Sequence, residues 1–161
     1  MRNKIWYSML QIKYGEIYLS LYLDFQKDLK RYIKIATLVF SGSGVFGWAF
    51  WEPLAWIACI VITIIQLIGL IENQIVRSDA ELEEISVLRS MYLKYLTKLE
   101  ELWYDCENGS KKEKKIKNSY FSLRETDFLA IESLDDKLNI KHWKGLKNKA
   151  DIRTREYFNN F

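Results

Sequence analysis

Few residues in this chain have side chains able to do chemistry, and they are scattered. Its one histidine, His142, stands between Lys141 and Trp143, and no nucleophile or carboxylate sits beside it in a spacing that acid–base or nucleophilic work requires. The two cysteines fall in unlike surroundings, Cys59 in an apolar block and Cys106 on a charged segment, and read as free thiols facing a reducing cytosol. Asp79, Glu81, Glu83 and Glu84 have the chemistry to hold a divalent ion, but on a helix these positions spread round the cylinder and read as a solvated face. No Cys/His cluster has metal-ligand spacing, and no glycine loop stands before a helix to cradle a phosphate. The run Ser41-Gly42-Ser43-Gly44 lies inside apolar sequence, where small residues serve close packing. The expectation is a protein that is not an enzyme, with no cofactor and no metal.

Other elements must therefore explain the chain. It has 161 residues, 49% hydrophobic and 28% charged, with a formal net charge of +3, one proline and seven glycines. That composition excludes a disordered tail, a collagen-like fibre and a disulfide-framed module, and the long uninterrupted runs argue against an all-β fold. The apolar residues are unevenly placed. Ile35 to Trp51 carries no ionisable side chain, and Pro53 to Ile71 carries none either. The second stretch, 19 residues, is about 28 Å long as a helix, which matches a bilayer core.

Two such stretches joined by Trp51-Glu52-Pro53 predict an all-α membrane protein, with a two-helix transmembrane hairpin and a cytoplasmic helical bundle. The division is 1–32, an amphipathic cytoplasmic or interfacial helical segment; 33–71, the hairpin, with spans over about 33–51 and 53–71; and 72–161, a cytoplasmic helical domain. Glu52 and Pro53 form the turn, Pro53 suiting the first turn of the second helix. Lys27, Lys30, Arg31 and Lys34 precede the first span and Arg77 follows the second, so both termini face the cytoplasm by the positive-inside rule. Thr37, Ser41, Ser43, Thr63 and Gln66 are candidates to line a pore or to pack the spans together. A single hairpin cannot enclose a pore, so the pore reading needs self-assembly.

In the first segment Ile5, Trp6, Met9, Leu10 and Ile12 suggest one or two helices, broken near Gly15, although Ile17-Tyr18-Leu19-Ser20-Leu21-Tyr22-Leu23 alternates as a strand would as well. Past Ile71 the helix is expected to continue to Asn108-Gly109. Ile85, Leu88, Tyr92, Tyr95, Leu99 and Leu102 recur at spacings of three and four, a seam that must be covered by the C-terminal helices or by another subunit. Asn108-Gly109-Ser110 reads as a helix stop and Lys111 to Lys117 as an exposed basic loop. Ser122 and Glu125 have capping-box spacing, which hints at a helix start. A last helix is expected over about 141–159.

The segments DFQKDLKRYIKIATLVFSGSGVFGWAF, AELEEISVLRSMYLKYLTKLEELW and KADIRTREYFNNF resemble the pre-span, post-span and C-terminal helices of the SLATT proteins, two-transmembrane effectors of bacterial nucleotide-signalling and defence operons. The match covers most of residues 20–161 and is one of layout and pattern. The size and layout also look like the small membrane accessory protein of type VI-B CRISPR systems, a family with an Arg…His nuclease-like motif; here the nearest upstream arginine, Arg124, stands eighteen residues before His142. Either resemblance implies a homo-oligomeric inner-membrane pore or channel in antiviral defence that permeabilises or depolarises the membrane. Its partners would be the bilayer, six or more copies of itself, and a functional link to a CRISPR nuclease or nucleotide-signalling enzyme, with no nucleic acid expected. The location would be the bacterial inner membrane, with several spans. A reading of another class is a membrane-anchored helical interaction module tethering a partner protein or RNA.

Overall fold

The computed structural model describes residues 1–50, 60, 63, 64, 66, 67, 69 and 76–159, with side chains described for all of these except 39–50. The described residues are all-α: α1 (Arg2–Phe50), α2 (Asp79–Glu107), α3 (Glu113–Leu123), a π-helical turn (Arg124–Phe128), α4 (Leu129–Leu138) and α5 (Lys144–Asn159). The chain divides into two units. One comprises Met1–Leu23 with Ala80–Phe161, the other Asp24–Asp79.

In the first unit, residue pairs give the direction of each rod. Arg2 meets Glu107, Trp6 stacks near Trp103 at 5.7 Å, and Arg89 reaches Glu16, so α2 runs antiparallel to α1. Ser8 meets Tyr120 and Tyr18 meets Lys141, so α3, the π turn and α4 return parallel to α1. Trp6 against Phe158 at 5.0 Å and Tyr18 against Trp143 turn α5 back again. The result is an up-down-up-down four-rod bundle; the α2–α3 and α4–α5 connections are short, whereas α1 and α2 are joined in sequence through the second unit.

Its core is apolar and closely filled. Ile5, Met9, Ile85, Leu88 and Leu99 are fully buried, and truncating any one to alanine is expected to cost about 2–5 kcal/mol. In α1, residues 16–19 and 21–23 are all buried, which no amphipathic surface helix shows. That stretch is the central rod of the unit. Its strand-like alternation is accidental, because neighbours cover every face of the helix.

The helix ends follow local chemistry. Gly109 at φ +60 closes α2, and the Ser110 N–H reaches back to the Asp105 carbonyl at 3.2 Å, so the expected stop at Asn108-Gly109-Ser110 is where α2 ends. Asn139 caps α4 in the left-handed region at φ 41, a conformation asparagine tolerates. The helix does not continue unbroken past Ile71 to Asn108: residues 76–78 are non-helical and α2 begins at Asp79. Ser78 followed by Asp79 and Glu81 is an N-terminal signal, with acidic groups at the positive end of the helix dipole. Residues 113–117 are not a basic loop but the start of α3, because Ile116 buries against the core. Nor does a helix start at Ser122. The chain stays helical through the π turn, and the Thr126 hydroxyl donates back to the Ser122 carbonyl at 2.9 Å.

The second unit holds the last part of α1 and residues up to Asp79. Gln26 is buried and its Oε1 accepts the Arg77 backbone N–H at 3.2 Å, while Lys30 pairs with Asp79.

Among the described residues, no helix is long and apolar enough to cross a membrane. This corrects the expected membrane fold class and, with it, the multi-span inner-membrane location. Most apolar residues of 1–23 are buried in the helical bundle, whereas Tyr7 is exposed. Charges on α1 continue to Lys34, so its described side chains contain no uncharged stretch of spanning length. The proposed turn, Glu52 and Pro53, and most of the second proposed span lie outside the described residues.

Candidate functional site

Of the pore or span-packing candidates, Thr37 is exposed on α1 and its hydroxyl donates to the Ile33 carbonyl at 2.9 Å. Thr63 and Gln66 are helical and exposed. The side chains of Ser41 and Ser43 lie outside the described residues. The seam candidates Ile85, Leu88, Tyr95, Leu99 and Leu102 are buried and Tyr92 is half-buried, all covered by this chain's own helices. Of the two covers that stripe allowed, the structure places the intramolecular one.

The residues first considered for chemistry are not brought together. His142 is exposed, with its ring 5.3 Å from that of Tyr18. Cys106 is half-buried on α2, and burial pushes its thiol above the usual range. Glu84 pairs with Lys137 at 2.9 Å and Asp79 with Lys30. Among the described residues no three or more His, Cys, Asp or Glu side chains are grouped to hold a metal ion. Lys111 pairs with Asp105 at 2.6 Å, which holds that carboxyl below its ordinary range.

Three polar arrangements are built around α1. The first is charged. Glu16, 4% exposed, accepts from Arg89 at 2.8 Å and from Lys13 at 3.1 Å, and the Lys13 ammonium lies 4.2 Å from the centre of the Tyr157 ring. The Tyr157 hydroxyl in turn donates to Glu100 at 2.7 Å, and burial together with that carboxylate pushes its phenol up to about 12. This network joins α1, α2 and α5, and its groups satisfy one another. It locks the bundle and presents no open reactive group.

The second is the strap between α4 and α5. The Tyr18 hydroxyl donates to the Lys141 carbonyl at 2.8 Å and accepts the Trp143 N–H at 3.0 Å. Nearby, Asp135 is held above the ordinary carboxylate range by burial, opposed by His142. Tyr92 is pushed up to about 12 by burial, with Asp135 and Glu132 adding to it.

The third encloses space. A cavity of about 100 Å³ opens where the π turn crosses α1 and α2. Ser8, Gln11 and Ile12 of α1 form one wall and Tyr95 of α2 the floor. Tyr120 of α3 and Arg124 and Phe128, the first and last residues of the π turn, form the rest. The wide turn carries one residue more than an α turn, which brings Phe128 rather than Asp127 round toward Tyr95, at 6.0 Å between rings. Arg124 then lies over the Phe128 ring at 5.9 Å. Asp127 faces Lys98 instead, and the two form an ion pair. Ser8 and Tyr120 share a hydrogen bond of 2.8 Å. Burial, aided by Tyr120 and Asp127 and opposed by Arg124, pushes the Tyr95 phenol up to about 12, so it keeps its proton. No carboxylate lines the cavity.

A wider groove of about 500 Å³ runs between α2 and α3, over Glu101, Asp105, Lys111, Asn118 and Ser122. It is open, and Asp105 and Lys111 in it neutralise each other.

Sequence reasoning placed Tyr95 in an apolar seam and noticed Arg124 only for its distance from His142. The signal that pointed here was tyrosine at positions where leucine or isoleucine suffices, since a buried phenol needs a partner for its hydroxyl. No protein-family model, no curated protein and no solved structure matches this chain.

Proposed function

We propose that this protein is a helical assembly module, non-catalytic, that associates with further copies of itself. The observation that carries the reading is an apolar stripe left uncovered in the second unit. Tyr32, Ile35 and Leu38 follow one another at three-residue steps on α1 and are 69%, 47% and 77% exposed. Ile60, Ile64 and Leu67 recur in the sequence at steps of four and three, each about half exposed. Single exposed leucines need no explanation, but repeated apolar positions on one helix face mark a surface that packs against something.

A second copy is the occupant that the spacing favours. Steps of three and four are those by which one helix inserts side chains between those of another. A closed pair uses the same patch on both partners, so each chain supplies what the other needs. This reading keeps the interaction module and drops its membrane anchor, because no described helix is long and apolar enough to cross.

Sedimentation velocity over a hundredfold range of concentration tests it. Assembly that grows with concentration, and that Ile35→Lys with Leu38→Lys abolishes while far-UV circular dichroism stays unchanged, is the expected result. A monomer at every concentration, or assembly indifferent to the two lysines, overturns it.

A further inference from the structure

The cavity beneath the π turn is lined by a buried tyrosine whose hydroxyl no described residue satisfies. Tyr95 is 2% exposed, and its hydroxyl makes no hydrogen bond to any described residue. Among the described residues no fully inaccessible polar side-chain atom lacks a partner. The Tyr95 hydroxyl is therefore reachable, and the space that reaches it is the cavity it lines. Arg124 is exposed, makes no ion pair with a described residue and lies over the Phe128 ring, so its guanidinium N–H groups are open to a ligand. Gln11, exposed at the rim, makes no side-chain hydrogen bond to a described residue. In the Ser8–Tyr120 pair one hydroxyl donates to the other, which leaves the second O–H free to donate.

These groups form a consistent set. Donors from Tyr95, Arg124, Gln11 and one of Ser8 or Tyr120 converge on one small volume, with a single positive charge and no carboxylate. Ile12 and the rings of Tyr95, Tyr120 and Phe128 supply apolar walls. We propose that this cavity binds a small monocarboxylate, its two oxygens held by Arg124 and the Tyr95 hydroxyl and its short carbon chain against Ile12 and Phe128.

Charge and size both select that class. One guanidinium balances one negative charge, and its planar fork matches the two oxygens of a carboxylate. A water occupies about 30 Å³ in the liquid, so the cavity has room for about three waters, or for a carboxylate carrying one or two carbons. A phosphate dianion would leave a charge uncompensated and would not use the apolar wall. The π turn is what builds the site, because it sets Arg124 over Phe128 and turns Asp127 aside to Lys98.

The test is titration of the full chain with sodium propionate, followed by calorimetry and by amide chemical shifts. Propionamide, inorganic phosphate and chloride at matched ionic strength run in parallel. Saturable binding of propionate is expected, with shifts gathered at residues 8–12, 95 and 120–128. Tyr95→Phe should weaken it about 10-fold, the loss of one hydrogen bond to a charged group, and Arg124→Gln about 100-fold. Because the Tyr95 hydroxyl has no partner among the described residues, Tyr95→Phe without ligand should melt no lower than the parent. Four results overturn the proposal: no saturable response to propionate, equal binding of propionamide, tighter binding of phosphate, or a Tyr95→Phe variant that binds like the parent. A lowered melting temperature of unliganded Tyr95→Phe also overturns it, since the hydroxyl would then have a structural partner.

Discussion

Substituting alanine for Gly15 separates two physical effects of opposite sign. In a helix interior alanine is better than glycine by about 0.5–1 kcal/mol, because glycine loses more backbone freedom on folding. Gly15 lies in the interior of α1, so propensity alone predicts a more stable protein. Packing predicts the reverse. A Cβ at this position would stand 2.4 Å from Cε1, 3.0 Å from Cδ1 and 3.2 Å from Cζ of Tyr92. Carbon atoms rest at about 3.5 Å or more, so the ring must retreat by about 1 Å. It is half-buried in α2, next to an α1 stretch with no free face. Overpacking of this kind costs about 1–3 kcal/mol, which outweighs the propensity gain and leaves a net loss of about 1 kcal/mol. The same substitution in a Tyr92→Ala background has no ring to displace, and there it should stabilise by about 0.5–1 kcal/mol. Urea unfolding of the four proteins, followed by far-UV circular dichroism, gives the double-mutant cycle. The expected outcome is a change of sign between the two backgrounds. If Gly15→Ala stabilises both equally, α1 and α2 do not approach one another as described.

Glu16→Ala should cost about 2–3 kcal/mol in the same assay, below the full value for a buried pair because Arg89 is 39% exposed in its side chain; a loss under about 0.5 kcal/mol would show that the network is not closed. Tyr18→Phe removes both strap bonds, at about 1–3 kcal/mol. Hydrogen exchange at the Trp143 amide should accelerate markedly, and an unchanged rate would refute the clamp. Tyr92, Tyr95 and Tyr157 have folded-state pKa values raised to about 12 from 10.0. A raised value means that the folded state favours the protonated phenol, so the stability involved is complete below pH 10 and is lost as pH rises toward 12. Melting temperature should therefore be flat up to about pH 10 and fall beyond it, and a rise over that interval would contradict the assignment.

How much of this was legible depended on whether a helix has a free face. Ile85, Leu88, Leu99 and Leu102 stood out because α2 is buried along one stripe and charged elsewhere, which is what a period of three and four reports. The stop at Asn108-Gly109 was legible because a left-handed residue there admits glycine and few others. The centre of α1 was not, since residues 16–23 are covered on all sides and a helix covered on all sides leaves no period. The membrane reading rested on residues 35–71, most of whose side chains lie outside the described residues; of those described, Ile35, Leu38, Ile60, Ile64 and Leu67 are exposed. Gly15 read as a break, whereas it is the point where the Tyr92 ring takes the place of a side chain. The capping spacing of Ser122 and Glu125 was real, but the π turn accommodates those residues without ending the helix.

The polar groups on the inner side of α1 explain why the bundle has one register. Apolar stripes at spacings of three and four are satisfied nearly as well after a slip of one heptad, because leucine against leucine carries no address. Hydrogen bonds do carry one. Ser8 meets Tyr120, Glu16 meets Arg89 and Tyr18 meets the strap at Lys141 and Trp143, so each of the other rods is tied to α1 at a fixed height. A slip of any rod would leave a buried donor or acceptor unmatched, at about 1–3 kcal/mol for each group. Against that background Tyr95 stands apart. It occupies the same kind of inward position, yet its hydroxyl addresses no described residue and opens instead on a space lined by further donors and one guanidinium. If the phenol were there only to fill volume, phenylalanine would fill it as well without a polar group to satisfy. The hydroxyl contributes nothing to the register that the other pairs set, and the small acid proposed for the cavity would supply the acceptor it lacks among the described residues.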